Sequence, residues 1–276
     1  MEHEWIIRVE CQERRWINMK DLEFVKKIAI DAGGHLLKRF NHLTFKDISF
    51  KDRYEIVTKL DFESEKIILK AIQKEYPNHE ILSEEAGRIK GKNSDYLWLI
   101  DPLDGTTNYK IGSPLFAVLI ALVYKNEIQF GLAYAPALGE FYEVELGKAT
   151  KFNNRKIHVS KTDKINESIN LYCHGSTKKD IERAIGVYSK LKLSGRDSRQ
   201  LGCAALEFGF VAAGRAESIL IPGAHPWDVA AGVLMVREAC GRVTDFEGKE
   251  WNLDSKDILA SNGKIHNELL KIIKGV

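Results

Sequence analysis

Two aspartates three residues apart, Asp101 and Asp104, lie in the string Trp98-Leu99-Ile100-Asp101-Pro102-Leu103-Asp104-Gly105-Thr106-Thr107-Asn108-Tyr109. An apolar strand is expected to end there, with Pro102 stiffening a turn between the two acids and Gly105 letting the backbone approach a ligand closely. Hard oxygen donors on a rigid strand end are what Mg²⁺ requires. Exposed backbone N–H groups just beyond them are what a phosphate requires. A bare D-x-x-D-G reads more readily as an Asx turn with a helix cap. The full twelve-residue string is far more specific.

Further carboxylates stand in similar settings. Glu84 and Glu85 follow the strand-like Glu80-Ile81-Leu82, and alone would be a solvated charge pair. Thr58-Lys59-Leu60-Asp61 has the spacing of a capping box, so Asp61 also has a purely structural reading. Asp228 reads by itself as the N-cap of a helix from Val229 to Cys240. The eight histidines are scattered, with no H-x-H or H-E-x-x-H, and His225 reads as a loop residue rather than a ligand. Cys11, Cys173, Cys203 and Cys240 have no C-x-x-C spacing and read as reduced, mostly buried thiols.

The elements that would hold these groups can be read from periodicity. Lys20 to Phe40 is helical, with Leu22, Val25, Ile28, Ala29, Ala32, Leu36 and Leu37 on one stripe. A strand-like region from Thr44 to Phe50 leads into a polar loop and a second helix, Asp61 to Tyr76, closed by Pro77. Short apolar runs at Ile81-Leu82 and Tyr96 to Ile100 suit buried strands, and Phe116 to Leu146 reads as a three-stranded antiparallel meander. The second half alternates: strand from Ser168, helix from Lys178 to Leu191, helix from Ala204 to Ala213, strand from Glu217 to Ile221, then helix, two strands, and a last helix from His266 to Ile273. Such alternation predicts sheets sandwiched by helices. The polar stretch Lys151 to Lys164 marks a boundary between an N-terminal α+β half, residues 19–155, and a C-terminal α/β half, residues 156–276. Residues 1–18 read as an extension preceding them.

Composition narrows the function classes. Lys plus Arg number 41 and Asp plus Glu 39, a balance that argues against a general nucleic-acid binder or a polybasic membrane binder. The longest apolar run, Leu115 to Tyr124, has ten residues, where a membrane span needs about 20. No basic segment leads into an apolar one near the N-terminus, so a secretory signal is not expected and a cytoplasmic location is.

Taken together, Val57-Thr58-Lys59-Leu60-Asp61, Ser83-Glu84-Glu85, Asp101 to Asn108 and Trp227-Asp228-Val229-Ala230-Ala231-Gly232 resemble the inositol monophosphatase family of Mg²⁺-dependent phosphomonoesterases. The order matches, as does the 23-residue step from Asp61 to Glu84, and the resemblance covers roughly residues 20–270. It implies the layered α/β/α/β/α sandwich of the inositol monophosphatase and fructose-1,6-bisphosphatase type, both halves forming one catalytic unit. It also implies a homodimer and a small phosphorylated metabolite as substrate. By resemblance, Glu84, Asp101 and the Leu103 carbonyl hold a first metal, and Asp101, Asp104 and Asp228 a second. Asp61 and Thr106 orient the attacking water, beside a third, weaker metal near Glu84. The Gly105 and Thr106 amides hold the phosphate, and Glu85 is an outer contact. The charge arithmetic agrees. Asp61, Glu84, Asp101, Asp104 and Asp228 bring −5 into one cleft, and a phosphate adds nearly −2, so two or three Mg²⁺ are needed.

The leaving group is less constrained. Asn108-Tyr109 fits the inositol or fructose phosphate branch by resemblance. Inositol-specific members place a glutamate seven residues before Asp228; this chain has Ile221, which cannot accept a hydroxyl hydrogen bond. Fructose-1,6-bisphosphatase and histidinol-phosphatase activities stay open, as does a regulatory paralogue without turnover. A second phosphate would need cations, for which Arg196, Arg199, Lys178 and Lys179 are candidates.

Overall fold

A computed structural model describes residues 19–51 and 53–276; the extension predicted for residues 1–18 lies outside the described residues. In chain order the elements are α1 (Met19–Arg39), β1 (Ile48–Phe50), β2 (Ile56–Thr58), α2 (Lys59–Glu75), β3 (His79–Ser83), β4 (Gly87–Ile89), β5 (Asn93–Asp104), α3 (Thr106–Lys110), β6 (Ala117–Tyr124), β7 (Glu127–Ala135) and β8 (Glu140–Glu145). There follow β9 (Lys151–Phe152), β10 (Arg155–Lys156), β11 (Ile169–Tyr172), α4 (Lys178–Ser194), β12 (Asp197–Arg199), α5 (Ala204–Ala212), β13 (Ser218–Pro222), α6 (Pro226–Glu238), β14 (Arg242–Thr244), β15 (Asp257–Ser261) and α7 (His266–Ile273).

Two main sheets result. The larger has the order β10-β9-β8-β7-β6-β5-β3-β4, antiparallel except where β3 runs parallel to β5. The smaller has the order β12-β11-β13-β15-β14, with β11 parallel to both its neighbours. Strand alternation sets the layers. On β5 and β6, Trp98, Ile100, Val118, Ile120 and Leu122 pack with Val25, Ile28, Leu36, Ile68 and Ile72 of α1 and α2. Leu99, Leu119, Ala121 and Val123 face the other way, into a core shared with α5, α6 and the inner face of the smaller sheet. Outside that sheet, Val187 and Leu191 of α4 and Leu269 and Ile273 of α7 close the stack over Leu220 and Leu259. The order helices, sheet, helices, sheet, helices is the layered α/β/α/β/α sandwich.

Several elements differ from their sequence reading. Thr44 to Phe50 is not all strand, because Phe45–Asp47 forms a 3₁₀ turn capped by Thr44. Leu37, placed on the buried stripe of α1, is 43% exposed, being one position past the last buried residue, Leu36. The first turn of the meander, which the sequence places at Asn126-Glu127, uses Lys125 and Asn126, both with positive φ, and Glu127 already belongs to β7. Of the described cysteines, Cys203 is buried, Cys173 partly so and Cys240 exposed.

One histidine belongs to the fold rather than to the chemistry. His266 is fully buried, its Nε2 2.9 Å from Thr244 Oγ1 and its Nδ1 2.8 Å from Ser261 Oγ. Desolvation, with Arg242 nearby, pushes its pKa down to about 4. The unfolded chain therefore binds the extra proton between about pH 6.5 and pH 4, and stability is lost as pH falls through that window, by about 3 kcal/mol. Compared with His266→Gln across this range, the wild type is expected to lose more of its melting temperature. A constant difference between the two proteins would refute the assignment.

Candidate active site

The acids of the Asp101–Asp104 string do not flank a turn as the sequence suggested. β5 continues through both of them, and its pairing with β6 slips there: Asp101 lies opposite Leu119 but Asp104 opposite Ala117. Three steps on β5 thus match two on β6, a bulge at Pro102-Leu103. In a regular strand, residues three apart point to opposite faces; the extra residue lets Asp101 and Asp104 serve one pocket, which they line together with Glu84, Leu103, Asp228 and Ile221. Proline has no N–H to lose in such a place. Ser64 of α2 fixes the bulge by donating to the Pro102 carbonyl at 2.8 Å.

Gly105 follows with φ +85°, and an added Cβ would come 2.7 Å from the Leu115 carbonyl, so only glycine makes this turn without displacement. Thr106 then opens α3, its hydroxyl 2.8 Å from Asp61 Oδ1 and 3.0 Å from the Leu103 carbonyl. The other Asp61 oxygen accepts from the Thr58 N–H at 2.8 Å and the Thr58 hydroxyl at 2.6 Å. The predicted capping box therefore exists, and one carboxylate both caps α2 and holds Thr106. Desolvation pushes Asp61 up to about 6 against these hydrogen bonds.

Asp228 is not the N-cap. The helix begins three residues earlier than read, at Pro226, with His225 as N-cap and Asp228 in the third helical position. Proline at the first position, where no N–H is needed, is the cause. His225 stacks on Trp227, ring centroids 4.7 Å apart, and its Nε2 is 3.2 Å from Ser176 Oγ. Glu84 and Glu85 share one cation: Lys51 Nζ lies 2.8 Å from Glu84 and 2.6 Å from Glu85. Burial pushes Glu85 up to about 7, and the two glutamates hold Lys51 well above the usual lysine range against its own desolvation.

Four further residues carry the site; Asn108 and Cys203 stand among residues already read in the sequence, whereas Glu65 and Glu207 were not singled out there. Glu65, one helical turn beyond Asp61, accepts from the Ser83 hydroxyl and from the N–H groups of Glu85 and Ala86, fixing the turn that bears Glu84. Asn108 donates to the carbonyls of Leu115, Leu201 and Gly202, tying α3 to the loop before α5. Fully buried Glu207 accepts from the N–H groups of Leu201 and Gly202 in that same loop. Cys203 donates its thiol to Asp104 at 3.2 Å, and Ala205 N–H donates to the same oxygen at 2.6 Å. For Glu65 the sequence signal was its i+4 position from Asp61, on the same face of the helix.

The donor set fits a hard divalent cation. Desolvation pushes Asp101 and Asp228 well up, and both are raised further by the charges of Glu84 and Asp104. Desolvation likewise takes Asp104 up to about 6. Among the described residues no three His, Cys, Asp or Glu side chains converge tightly enough to form a ready metal cage. Of the cations proposed for a second phosphate, Arg199 pairs with Asp197 and Lys178 with Glu182 on the surface, and neither these nor Arg196 and Lys179 line the cleft.

Residues 18–275 match the profile of the Inositol monophosphatase family. The chain belongs to the inositol monophosphatase family. It is 37% identical over 257 residues to a fructose-1,6-bisphosphatase/inositol-1-monophosphatase of Thermotoga maritima, covering 90% of this chain and 96% of that one. It is 34% identical over 254 residues to the Nus factor SuhB of Pasteurella multocida, covering 92% and 95%. Among solved structures it superimposes on the extragenic suppressor protein suhB of Bartonella henselae with a TM-score of 0.87 at 32% identity, covering 92% and 99%. Members of this family are metal-dependent phosphatases, and the names of the relatives divide between enzymes and Nus factors. No helix among the described residues is long and apolar enough to cross a membrane.

Proposed function

We propose that the protein is a Mg²⁺-dependent phosphomonoesterase that hydrolyses a small sugar or polyol phosphate. One observation carries the reading: Asp101, Asp104, Glu84 and Asp228 line a single pocket, directly beneath the Gly105 turn and the Asp61–Thr106 pair. Glu84, Asp101, the Leu103 carbonyl, Asp104 and Asp228 would hold two or three Mg²⁺. Bound there, the metal would offset the carboxylate charge, polarise the phosphate and lower the pKa of the attacking water. The Gly105 and Thr106 N–H groups hold the phosphate oxygens. Thr106, itself fixed by Asp61, orients the water for in-line attack, and Asp61 stands ready to receive its proton. The site takes Asp228 from residues 156–276 and its other acids from residues 19–155, so in this reading the two halves work as one unit.

The test is phosphate release, with Mg²⁺ and with chelator, from inositol 1-phosphate, fructose 1,6-bisphosphate, histidinol phosphate, glycerol 2-phosphate and 3′-phosphoadenosine 5′-phosphate. A binding role without turnover is the second reading, favoured by relatives named Nus factor. Mg²⁺-independent silence toward every ester, with Mg²⁺ giving no gain, would select it.

Ile221 lines the inner pocket beside Asp228, so an acceptor placed there would meet the leaving group. Ile221→Glu is expected to raise kcat/KM for inositol 1-phosphate relative to the best wild-type substrate by about fivefold, the net scale of one hydrogen bond. An unchanged ratio would mean that position 221 does not read the substrate.

A further inference from the structure

We infer that Glu207, which lies outside the cleft, is a positioning residue for the metal-binding acid Asp104 and for the phosphate turn at Gly105, and that it acts as a hydrogen-bond acceptor on the loop that touches both. This rests on the phosphatase reading for what the cleft does and goes beyond it by naming what holds the cleft in shape.

Glu207 lies on α5, whose other buried residues are all Ala, Gly, Leu, Phe or Val. It is fully buried and lines neither the inner pocket nor its mouth, so it is neither a metal ligand nor a group that meets substrate. One of its oxygens accepts from the Leu201 N–H at 2.6 Å and the Gly202 N–H at 3.3 Å. The other has no hydrogen-bond partner among the described residues. A buried carboxyl with an idle oxygen costs stability that an apolar side chain would not. What it holds is a loop in contact with the chemistry.

The loop meets the site at two points. The Gly202 carbonyl and Cys203 Cβ lie 3.2 and 3.3 Å from where a Cβ on Gly105 would stand, so the loop packs directly against the turn proposed to hold the phosphate. Just beyond, at the start of α5, the Cys203 thiol and the Ala205 N–H both donate to one oxygen of Asp104, at 3.2 and 2.6 Å. That oxygen is engaged, which leaves the other for a cation. Asn108 donates to the carbonyls of Leu201 and Gly202 at 2.7 and 3.0 Å. Glu207 thus grips the loop by its N–H groups and Asn108 by its carbonyls. Burial pushes the Glu207 carboxyl well up from its ordinary value. It therefore accepts as a neutral acid and adds no charge to a site already crowded with acids. A glutamine presents the same carbonyl oxygen to the two N–H groups, and a leucine presents none.

The experiment measures Mg²⁺ affinity by calorimetry, and kcat/KM for glycerol 2-phosphate, in wild type, Glu207→Gln, Glu207→Leu and Val211→Ala. Val211 is fully buried on the same helix and lines neither the pocket nor its mouth, so its truncation reports what weakening α5 does by itself. Glu207→Leu is expected to bind Mg²⁺ about tenfold more weakly than wild type and to lose about as much in kcat/KM, while Glu207→Gln stays within about twofold. Val211→Ala is expected to melt lower yet keep the wild-type Mg²⁺ affinity. If Glu207→Leu does not fold, Glu207→Asp replaces it: one methylene short of the Leu201 N–H, it is expected to weaken Mg²⁺ binding about threefold. Unchanged Mg²⁺ affinity in Glu207→Leu or its replacement, an equal loss in Val211→Ala, or a glutamine variant as weak as the leucine one would overturn the inference. Mg²⁺ binding weakened by leucine and rescued by glutamine, with none of the esters hydrolysed by the wild type, would sustain the positioning role and overturn the phosphatase reading. No Mg²⁺ binding by the wild type would overturn both.

Discussion

Asp101→Asn is expected to lower phosphate release by roughly a thousandfold or more, while leaving a folded protein that melts no lower than wild type without metal. Asp101 is 2% exposed and stands in the field of Glu84, Asp104 and Asp228. The amide keeps the volume and can keep the 3.0 Å hydrogen bond from Leu103 N–H. It removes the negative charge that a divalent cation requires, and losing several kcal/mol of charge stabilisation corresponds to that rate loss. The stability effect has a sign that can be checked. Burial raises the folded-state pKa of Asp101 above its ordinary value near 3.8. At high pH the fold therefore carries the penalty of a buried charge, which is relieved as pH falls and the group protonates. The gain of Asp101→Asn over wild type should be greatest near pH 8 and vanish as pH approaches 4. Near wild-type turnover in this variant would remove Asp101 from the metal site; a large loss of melting temperature at pH 8 would show that its charge is compensated in the fold.

How much of this was legible in the sequence depends on the range of the interaction that fixes each residue. The helices over Met19–Arg39, Lys59–Glu75 and His266–Ile273 follow from apolar periodicity, which is local. Asp61, Glu84, Asp101, Asp104 and Asp228 sit in short strings whose neighbours betray them, and all except Asp61 line one inner pocket, while Asp61 reaches it through Thr106. The bulge at Pro102-Leu103 was hidden because it exists only relative to β6. Glu207 was hidden for a similar reason. Its partners are backbone N–H groups five and six residues earlier, but its role appears only when Asn108, some 90 positions away, meets the same loop. A buried glutamate on an otherwise apolar helix such as Ala204–Ala212 is a signal in retrospect, since burial without partners would be too costly.

Chelation is expected to abolish phosphate release, and Mg²⁺ to restore it. The reason lies in the chain's own charges. Glu84, Asp101, Asp104 and Asp228 would each carry −1 when ionised, and the only lysine or arginine among the described residues lining the cleft, Lys51, is held by Glu84 and Glu85 at the rim. A phosphate monoester near −2 cannot approach the Gly105 and Thr106 amides against that field without added positive charge. The same repulsion makes a prediction independent of turnover. Mg²⁺ should raise the melting temperature, because a ligand that binds only the folded state stabilises it by mass action. Inorganic phosphate should bind measurably with Mg²⁺ and negligibly in chelator. In Asp101→Asn the thermal shift with Mg²⁺ should shrink, since one charged donor is gone. Ca²⁺ should bind the oxygen donors yet support little turnover, because its larger and looser shell does not reproduce the octahedral spacing that Mg²⁺ imposes. Full phosphate release in excess chelator would defeat the proposed chemistry, whereas a Mg²⁺-induced thermal shift unaffected by Asp101→Asn would place the metal elsewhere on the molecule.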